Sequence, residues 1–447
     1  MRSRLTYIFM KISIVEVSML VLQGMMGIVE SIKIRHLQML LFYCMVVGYF
    51  YFGYIDFIGP LSLGVVCLIA LLLIFYLNSC MRPSVTFPKQ HVTISIVLIL
   101  LALWLYVVEG VEIIQLLRRV GIPIMLIFAV KEVIKSVRQV NCILVAITII
   151  VSISCIVAVL QAMDIDFFWD LRMMIDAPSH PSIKSQIINR VRAPGLALFS
   201  VPLSYQIGAI FPFIIYLTHI SKARKKIIIL GSCLVLGALA SQSKSAVLAI
   251  LVSYIVFMKL NHLLNPKKIF WFITILLFLV IGISCFNDLI SKIIKPDHAT
   301  LSRIPFMLIG LEILSDVPFG VNSEAELTNL IHYYLAYYGH LRGARDLLLI
   351  GFHNCLLTVG IYHGWAILIV YIWLYLYIFR LIYKAMKNST IGSADHYFYS
   401  GAIAYFCAYI IQSSTHNTGL TTADPYDWIM IGVILAYKPS QVSPERL

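Results

Sequence analysis

Charge is what this sequence most lacks. Only 12% of its 447 residues are Asp, Glu, Lys or Arg, about half the share that a soluble domain carries. Apolar residues make up 60% and the mean hydropathy is +0.91. No soluble core could hide that much apolar surface, so lipid must solvate most of the chain. Acidic residues are the scarcer charge, 21 against 34 Lys and Arg. The resulting formal charge of +13 does not call for nucleic acid. Nothing resembles a basic nucleic-acid-binding module, and the cations sit in short loops between apolar runs, where they set topology.

Other absences exclude further chemistry. There is neither a G-x-x-x-x-G-K-[ST] loop nor a convincing G-x-G-x-x-G, so ATP is not the expected energy source. No H-E-x-x-H occurs and the histidine spacing gives no metal motif, so neither a metal nor another cofactor is expected. The nine cysteines form no C-x-x-C pair, which argues against a redox centre and a disulfide framework. No cleavable signal pattern precedes the first apolar run, so processing is not expected.

What is present is a series of apolar runs. They centre near Tyr43, Val65, Leu98, Met125, Ile149, Phe213, Leu234, Ile250, Leu276, Val370, Tyr405 and Ile431. The pattern predicts an all-α polytopic membrane protein of about twelve spans, each near the ~20 residues a helix needs. An earlier run, Ile12 to Val29, is flanked and crossed by Glu16, Gln23 and Glu30 at seven-residue intervals. Those residues share one helical face, as in an amphipathic helix lying at the interface; a true first span is the lesser reading. Lys and Arg crowd one set of alternate loops, including Lys222, Arg224, Lys225 and Lys226, which makes that side cytoplasmic. Two long loops remain on the outer side, Asp164 to Pro194 and Asn287 to Leu347, the second expected to carry short helices. Their basic residues break the topological bias and are free to serve another purpose.

Several side chains at the outer ends of spans could carry chemistry. Arg118 and Arg119 suit an anion site as well as interfacial snorkelling. Arg190 and Arg192 precede an Ala-Pro-Gly turn at a membrane entry, where an arginine anchor is also ordinary. Ser241-Gln-Ser-Lys-Ser sets three hydroxyls and the Lys244 ammonium in a tight turn able to surround a phosphate oxygen, or simply to make a polar turn. Arg303 begins a segment that reads as a short helix followed by a Pro-Gly turn, with Glu312 as a carboxylate available to an arginine. His353 and Asn354 open the next apolar run. His353, Leu357, Gly360 and Gly364 share a face by spacing, and two glycines on one face admit a close helix neighbour. The arginines around His353 favour acid–base or substrate work over a merely interhelical hydrogen bond.

The order of these pieces resembles the O-antigen polymerase and O-antigen ligase superfamily of bacterial surface-polysaccharide assembly. Arg192-Ala-Pro-Gly-Leu is similar to its Arg-x-x-Gly entry before a span, and Ser241-Gln-Ser-Lys-Ser-Ala to its Ser-Arg-Gly/Ala turn. Arg303 followed by Asp316-Val-Pro-Phe-Gly-Val resembles its Arg…Pro-x-x-Gly loop segment. Phe352-His353-Asn354…Leu356…Gly360…Gly364 is similar to its His-Asn helix. The four pieces lie between residues 190 and 373, about 40% of the chain. Lys244 departs from the family's arginine, keeping the charge without the bidentate fork.

The resemblance implies a metal-independent, membrane-embedded glycosyltransferase of the GT-C kind, without a cofactor. It implies a donor glycan on a polyprenyl diphosphate, presented at the outer face of the bacterial inner membrane. Arg192, Lys244, Arg303, Arg118 and Arg119 would hold the diphosphate or glycan with Asn354, and His353 would be the catalytic base. The first expectation is a polymerase of lipid-linked repeat units; the second is a ligase moving finished glycan to lipid A–core. Membrane lipid and a chain-length regulator protein are further partners of such a polymerase, and nucleic acid is not. The rival of another class is a lipid-linked oligosaccharide transporter, but the chain shows no internal repeat of the kind transporters carry.

Overall fold

The computed structural model describes residues 34–52, 56–58, 61–81, 88–107, 112–176, 188–190, 192–198, 200–264, 303–321, 323–341, 343–350, 352–416 and 425–439. The run at 12–29 and the run around Leu276 lie outside the described residues. In chain order the helices are α1 (Ile34–Val47), α2 (Leu63–Met81), α3 (Lys89–Val107), α4 (Ile113–Val133), α5 (Val137–Ala162) and α6 (Asp166–Asp176). They continue with α7 (Ser200–Ile220), α8 (Arg224–Ala240), α9 (Lys244–Leu260), α10 (Arg303–Asp316) and α11 (Glu324–Tyr338). The last are α12 (Leu347–Ile350), α13 (Cys355–Lys387), α14 (Ala394–Thr415) and α15 (Pro425–Ala436). Among the described residues the only strands, Asp56–Ile58 and Leu61–Ser62, form a small antiparallel ribbon between α1 and α2.

Five described helices, α3, α4, α5, α7 and α13, are long and apolar enough to cross a membrane. Length and composition make this a helical membrane-protein fold. Helix α7 is its centre: 89% of its apolar stretch is buried, against 33% for α3, α4 and α13. Helix starts follow local sequence. Ser136, Ser243, Ser323, Asn354 and Ser393 each accept a backbone N–H at the first turn of α5, α9, α11, α13 and α14, satisfying donors that a helix cannot pair internally. Several polar groups inside the bundle pair with one another, as hydrocarbon surroundings favour. Tyr405 donates to Asp427 at 2.8 Å, and Tyr371, Tyr375 and Tyr409 form a chain of hydroxyls.

The sequence expectation of one continuous helix from His353 onward is corrected at Gly364. Its φ of 79° and ψ of 176° lie in a region essentially reserved for glycine. A straight helix would separate Cys355 from Tyr371 by about 24 Å, yet Cys355 Sγ lies 3.2 Å from the Tyr371 hydroxyl. The helix therefore folds back into a V, with Gly364 at its apex and His353 at the foot of its shorter arm. Glycines 360 and 364 consequently meet α10 and its following turn. A Cβ on Gly360 would touch Leu314, and one on Gly364 would lie 2.5 Å from Phe319 C. The turn is bolted to the apex by Trp365 N–H to Pro318 O at 2.9 Å and Val321 N–H to Ile361 O at 2.9 Å. Gly364→Ala is expected to cost about 1–3 kcal/mol from backbone strain alone, read as a lower melting temperature of the purified protein. An unchanged melting temperature would show that the V is not needed for stability.

The first long loop is also ordered where it is described. Trp169 donates to Gln161 O at 2.9 Å, and Arg190 bridges Asp164 and Asp166, so Arg190 closes the loop on itself. The Ala193-Pro194-Gly195 turn is pinned to α5. Gln161 Oε1 accepts Gly195 N–H at 2.8 Å and Ser154 Oγ accepts Leu196 N–H at 2.9 Å. Gly195 sits at φ 63°, where a Cβ would be 2.2 Å from Ser154 O. Arg172, fully buried on α6, donates to Leu198 O at 3.0 Å. These contacts fix the direction in which the chain passes Arg192 and enters α7.

Candidate functional site

The starts of α9, α10 and α13 meet the second turn of α7 and the end of α14. Ser204 on α7 and Ser245 on α9 share a hydrogen bond of 3.1 Å. Ser245 contacts Nε2 of His416 at 3.1 Å, immediately beyond the C-terminus of α14. The His416 ring lies 6.2 Å from that of His353, edge to face, and 6.1 Å from that of Tyr205. Arg303 is the first residue of α10. Helices α10 and the short arm of α13 run in step, Gly310 against Leu357 and Phe352, then Gly360 against Leu314, which sets Arg303 level with His353. Helix starts carry partial positive charge and unpaired N–H groups, so their convergence suits an anion.

Electrostatics ties the cluster together. Burial, then the charge of Arg303, holds the His353 imidazole below its usual pKa. Burial pushes His416 down to about 3, helped by Arg303, His353 and Arg192 in that order. Arg192 and Arg303 thus act on the same ring from the two long loops. Both histidines are neutral near pH 7, because the desolvated charged form is disfavoured and the arginines repel it. His353 also adopts a φ of 47°, uncommon for a residue with a side chain, and such strain concentrates at working sites.

The other candidates lie around this centre. Lys244, half-buried at the start of α9, lines with Gln242 and Ser243 a cavity of about 270 Å³ walled mostly by Ala238, Leu239, Val247, Leu248 and Leu251, while Ser245 reaches His416. Arg118 and Arg119 occupy a π-helical turn, Leu117–Gly121, a geometry frequent at functional positions. Arg119 lines a cavity of about 20 Å³ with His363, Val359, Ile367 and Tyr371; it adjoins the apex of the V, ten residues from His353. Glu312 has no role as an arginine's partner among the described contacts: it accepts from Tyr338 at 2.9 Å.

No protein-family model and no curated protein sequence matches the chain. The chemistry must therefore come from the site's own geometry.

Asn354 has a definite local task. Its Oδ1 accepts Leu357 N–H at 3.0 Å, capping the arm that carries His353. Asn354→Ser is expected to keep the cap and most activity, whereas Asn354→Ala should lose about 1 kcal/mol of stability. Equal melting temperatures for the two variants would remove the cap as the reason for asparagine.

His416, Ser204, Gln412 and Arg172 escaped sequence reasoning, whereas Ser243 and Ser245 read as hydroxyls of a polar turn. Ser413–Asp424 reads only as a segment free of Lys and Arg, and a lone His in it carries no spacing signal. Arg172 is hidden because, with Asp166, Asp170 and Asp176 around it, it looks like any charge of a surface helix. The pairing of His416 with His353 spans 63 residues of sequence and exists only in three dimensions.

Proposed function

We propose that the chain is a bacterial inner-membrane glycosyltransferase of about twelve spans, GT-C-like in build. It joins repeat units carried on a polyprenyl diphosphate into a surface polysaccharide at the periplasmic face. The observation that carries this reading is a pair of neighbouring neutral histidines, both acted on by Arg303 and one also by Arg192, where three helix starts converge. Such a site suits an anionic leaving group beside a hydroxyl that must lose a proton. Attack of the acceptor hydroxyl on the anomeric carbon forms the new C–O bond and breaks the bond to the diphosphate oxygen. His353 takes the hydroxyl proton, and the diphosphate leaves with its charge met by arginine and helix-start N–H groups.

The cavity beside α9 supports a lipid-borne substrate. Its wall is mostly apolar, and Lys244 stands with it on the turn whose Ser245 reaches His416. A prenyl chain in that groove would bring its diphosphate to the serine turn. Lys244→Arg is expected to keep or raise activity, and Lys244→Ala to lose polymer while the protein stays at normal level in the membrane. Full polymer from Lys244→Ala would remove this residue from the site.

Deleting the gene and running surface polysaccharide on a gel tests the function itself. One-repeat capped core supports the polymerase. Bare core with accumulated lipid-linked polymer would replace it with a ligase, which uses the same donor. Unchanged polysaccharide would overturn the glycosyltransferase reading.

A further inference from the structure

We propose that His416 is held by three buried serine hydroxyls as a neutral imidazole whose Nδ1–H donates a hydrogen bond to a phosphate oxygen of the donor's diphosphate. The inference rests on the reading of this site as a polyprenyl-diphosphate site, and it assigns the second histidine a role distinct from that of His353.

Counting hydrogens fixes the tautomer. A serine hydroxyl has one hydrogen to give and two lone pairs to receive. Ser243 Oγ receives Ala246 N–H at 3.4 Å and lies 3.0 Å from Ser245 Oγ. Ser204 Oγ receives Gln412 Nε2–H at 3.2 Å and lies 3.1 Å from Ser245 Oγ. Ser245 Oγ in turn lies 3.1 Å from His416 Nε2. All three serines are buried, where an unpaired hydroxyl is costly. Among these contacts one arrangement gives every hydroxyl hydrogen an acceptor: Ser243 and Ser204 both donate to Ser245, and Ser245 donates to His416 Nε2. The reverse direction would strand the hydrogen of Ser204 or Ser243. Nε2 is therefore an acceptor without a proton, and in a neutral ring the proton must sit on Nδ1. No hydrogen bond among the described residues occupies Nδ1.

The surroundings decide the ligand class. Burial first, then the charges of Arg303 and Arg192, leave His416 neutral far below pH 7, and guanidinium groups acting beside a neutral N–H suit an anion. A neutral N–H in that position donates without carrying a charge of its own. It cannot serve as the base, because its free lone pair is already taken by Ser245. His353, whose ring is 6.2 Å away, stays available for the hydroxyl proton. Two titratable groups of one kind are thus separated into a donor and a base by their environments.

The test uses full-length protein labelled with 15N-histidine in nanodiscs, with the tautomer read from the ring-nitrogen shifts. The resonances lost in His416→Gln are expected to be those of a neutral Nδ1–H ring, unchanged between about pH 7.5 and pH 5. Ser245→Ala should switch one histidine away from that tautomer, which gives the same readout if His416→Gln fails to fold. An Nε2–H or imidazolium form for this residue would overturn the proposal. Farnesyl diphosphate, a prenyl diphosphate without sugar, should shift the Nδ1 resonance, and the shift should vanish in Arg303→Gln. An equal shift from phosphatidylglycerol at the same concentration would overturn the assignment in favour of a membrane headgroup site. A shift with farnesyl diphosphate from a protein that transfers no glycan would leave the His416 site standing and remove the proposed function instead.

Discussion

Replacing His353 by glutamine is expected to lower the rate of glycosyl transfer about 10²–10⁴-fold, the usual loss on removing a positioned general base. Glutamine can still make an interhelical hydrogen bond, but an amide takes up no proton near neutral pH. His353→Ala should therefore be no worse than His353→Gln, with both proteins at normal level in the membrane. Near-wild-type rates from His353→Gln would refute the base assignment. The pH profile gives a second reading. Burial and Arg303 hold the free-enzyme pKa below the ordinary histidine value of 6.5, so His353 is already neutral at pH 7. The rate constant kcat/KM should then stay flat through neutral pH and fall only once the pH drops below that ordinary value. A bound diphosphate offsets the Arg303 charge and favours the protonated ring, so the acid limb of kcat should lie at higher pH than that of kcat/KM. Limbs in the opposite order would show that the donor's charge does not reach His353.

Much of the helix framework was legible because hydrophobic runs and caps are local properties. Ser136, Ser243 and Asn354 stand just before apolar runs, and each makes a cap bond in space. Arg303 to Asp316 reads as a short helix with a turn after it, and the structure has that helix. What failed was geometry that depends on a partner. Spacing sets Gly360 and Gly364 on one straight face, but Pro318 and Phe319 press on Gly364 and the chain reverses there. The same reversal lowers His353 to the foot of the V, where it faces His416 from another helix. Lys244 was legible as a cation in a polar turn, but not that its neighbour Ser245 would be the group in contact with the histidine. Hydroxyl networks leave no periodic trace in sequence, so the proton inventory of the site had to wait for the structure.

Arg303→Gln is expected to reduce transfer about 10²–10³-fold, the loss typical when one preorganised charge at a developing anion is removed. A second effect follows from its position at the start of α10. The Arg303 charge presses on both His353 and His416. Removing it eases protonation of His353, so the acid limb of kcat/KM must move to higher pH, towards the ordinary histidine value; burial, the larger cause, still holds it below. Arg303→Lys keeps the charge and should leave the limb in place. Its rate should nevertheless fall, because an ammonium cannot grip two phosphate oxygens with the guanidinium fork. The pair of variants separates charge from geometry: one moves both rate and limb, the other the rate alone. If Arg303→Gln abolished transfer with the acid limb unmoved, Arg303 would serve the diphosphate without sensing His353, and the two loops would meet the substrate independently. If both variants kept wild-type rates, the anion would be held by Arg192 and the helix starts, and α10 would be support for the V alone.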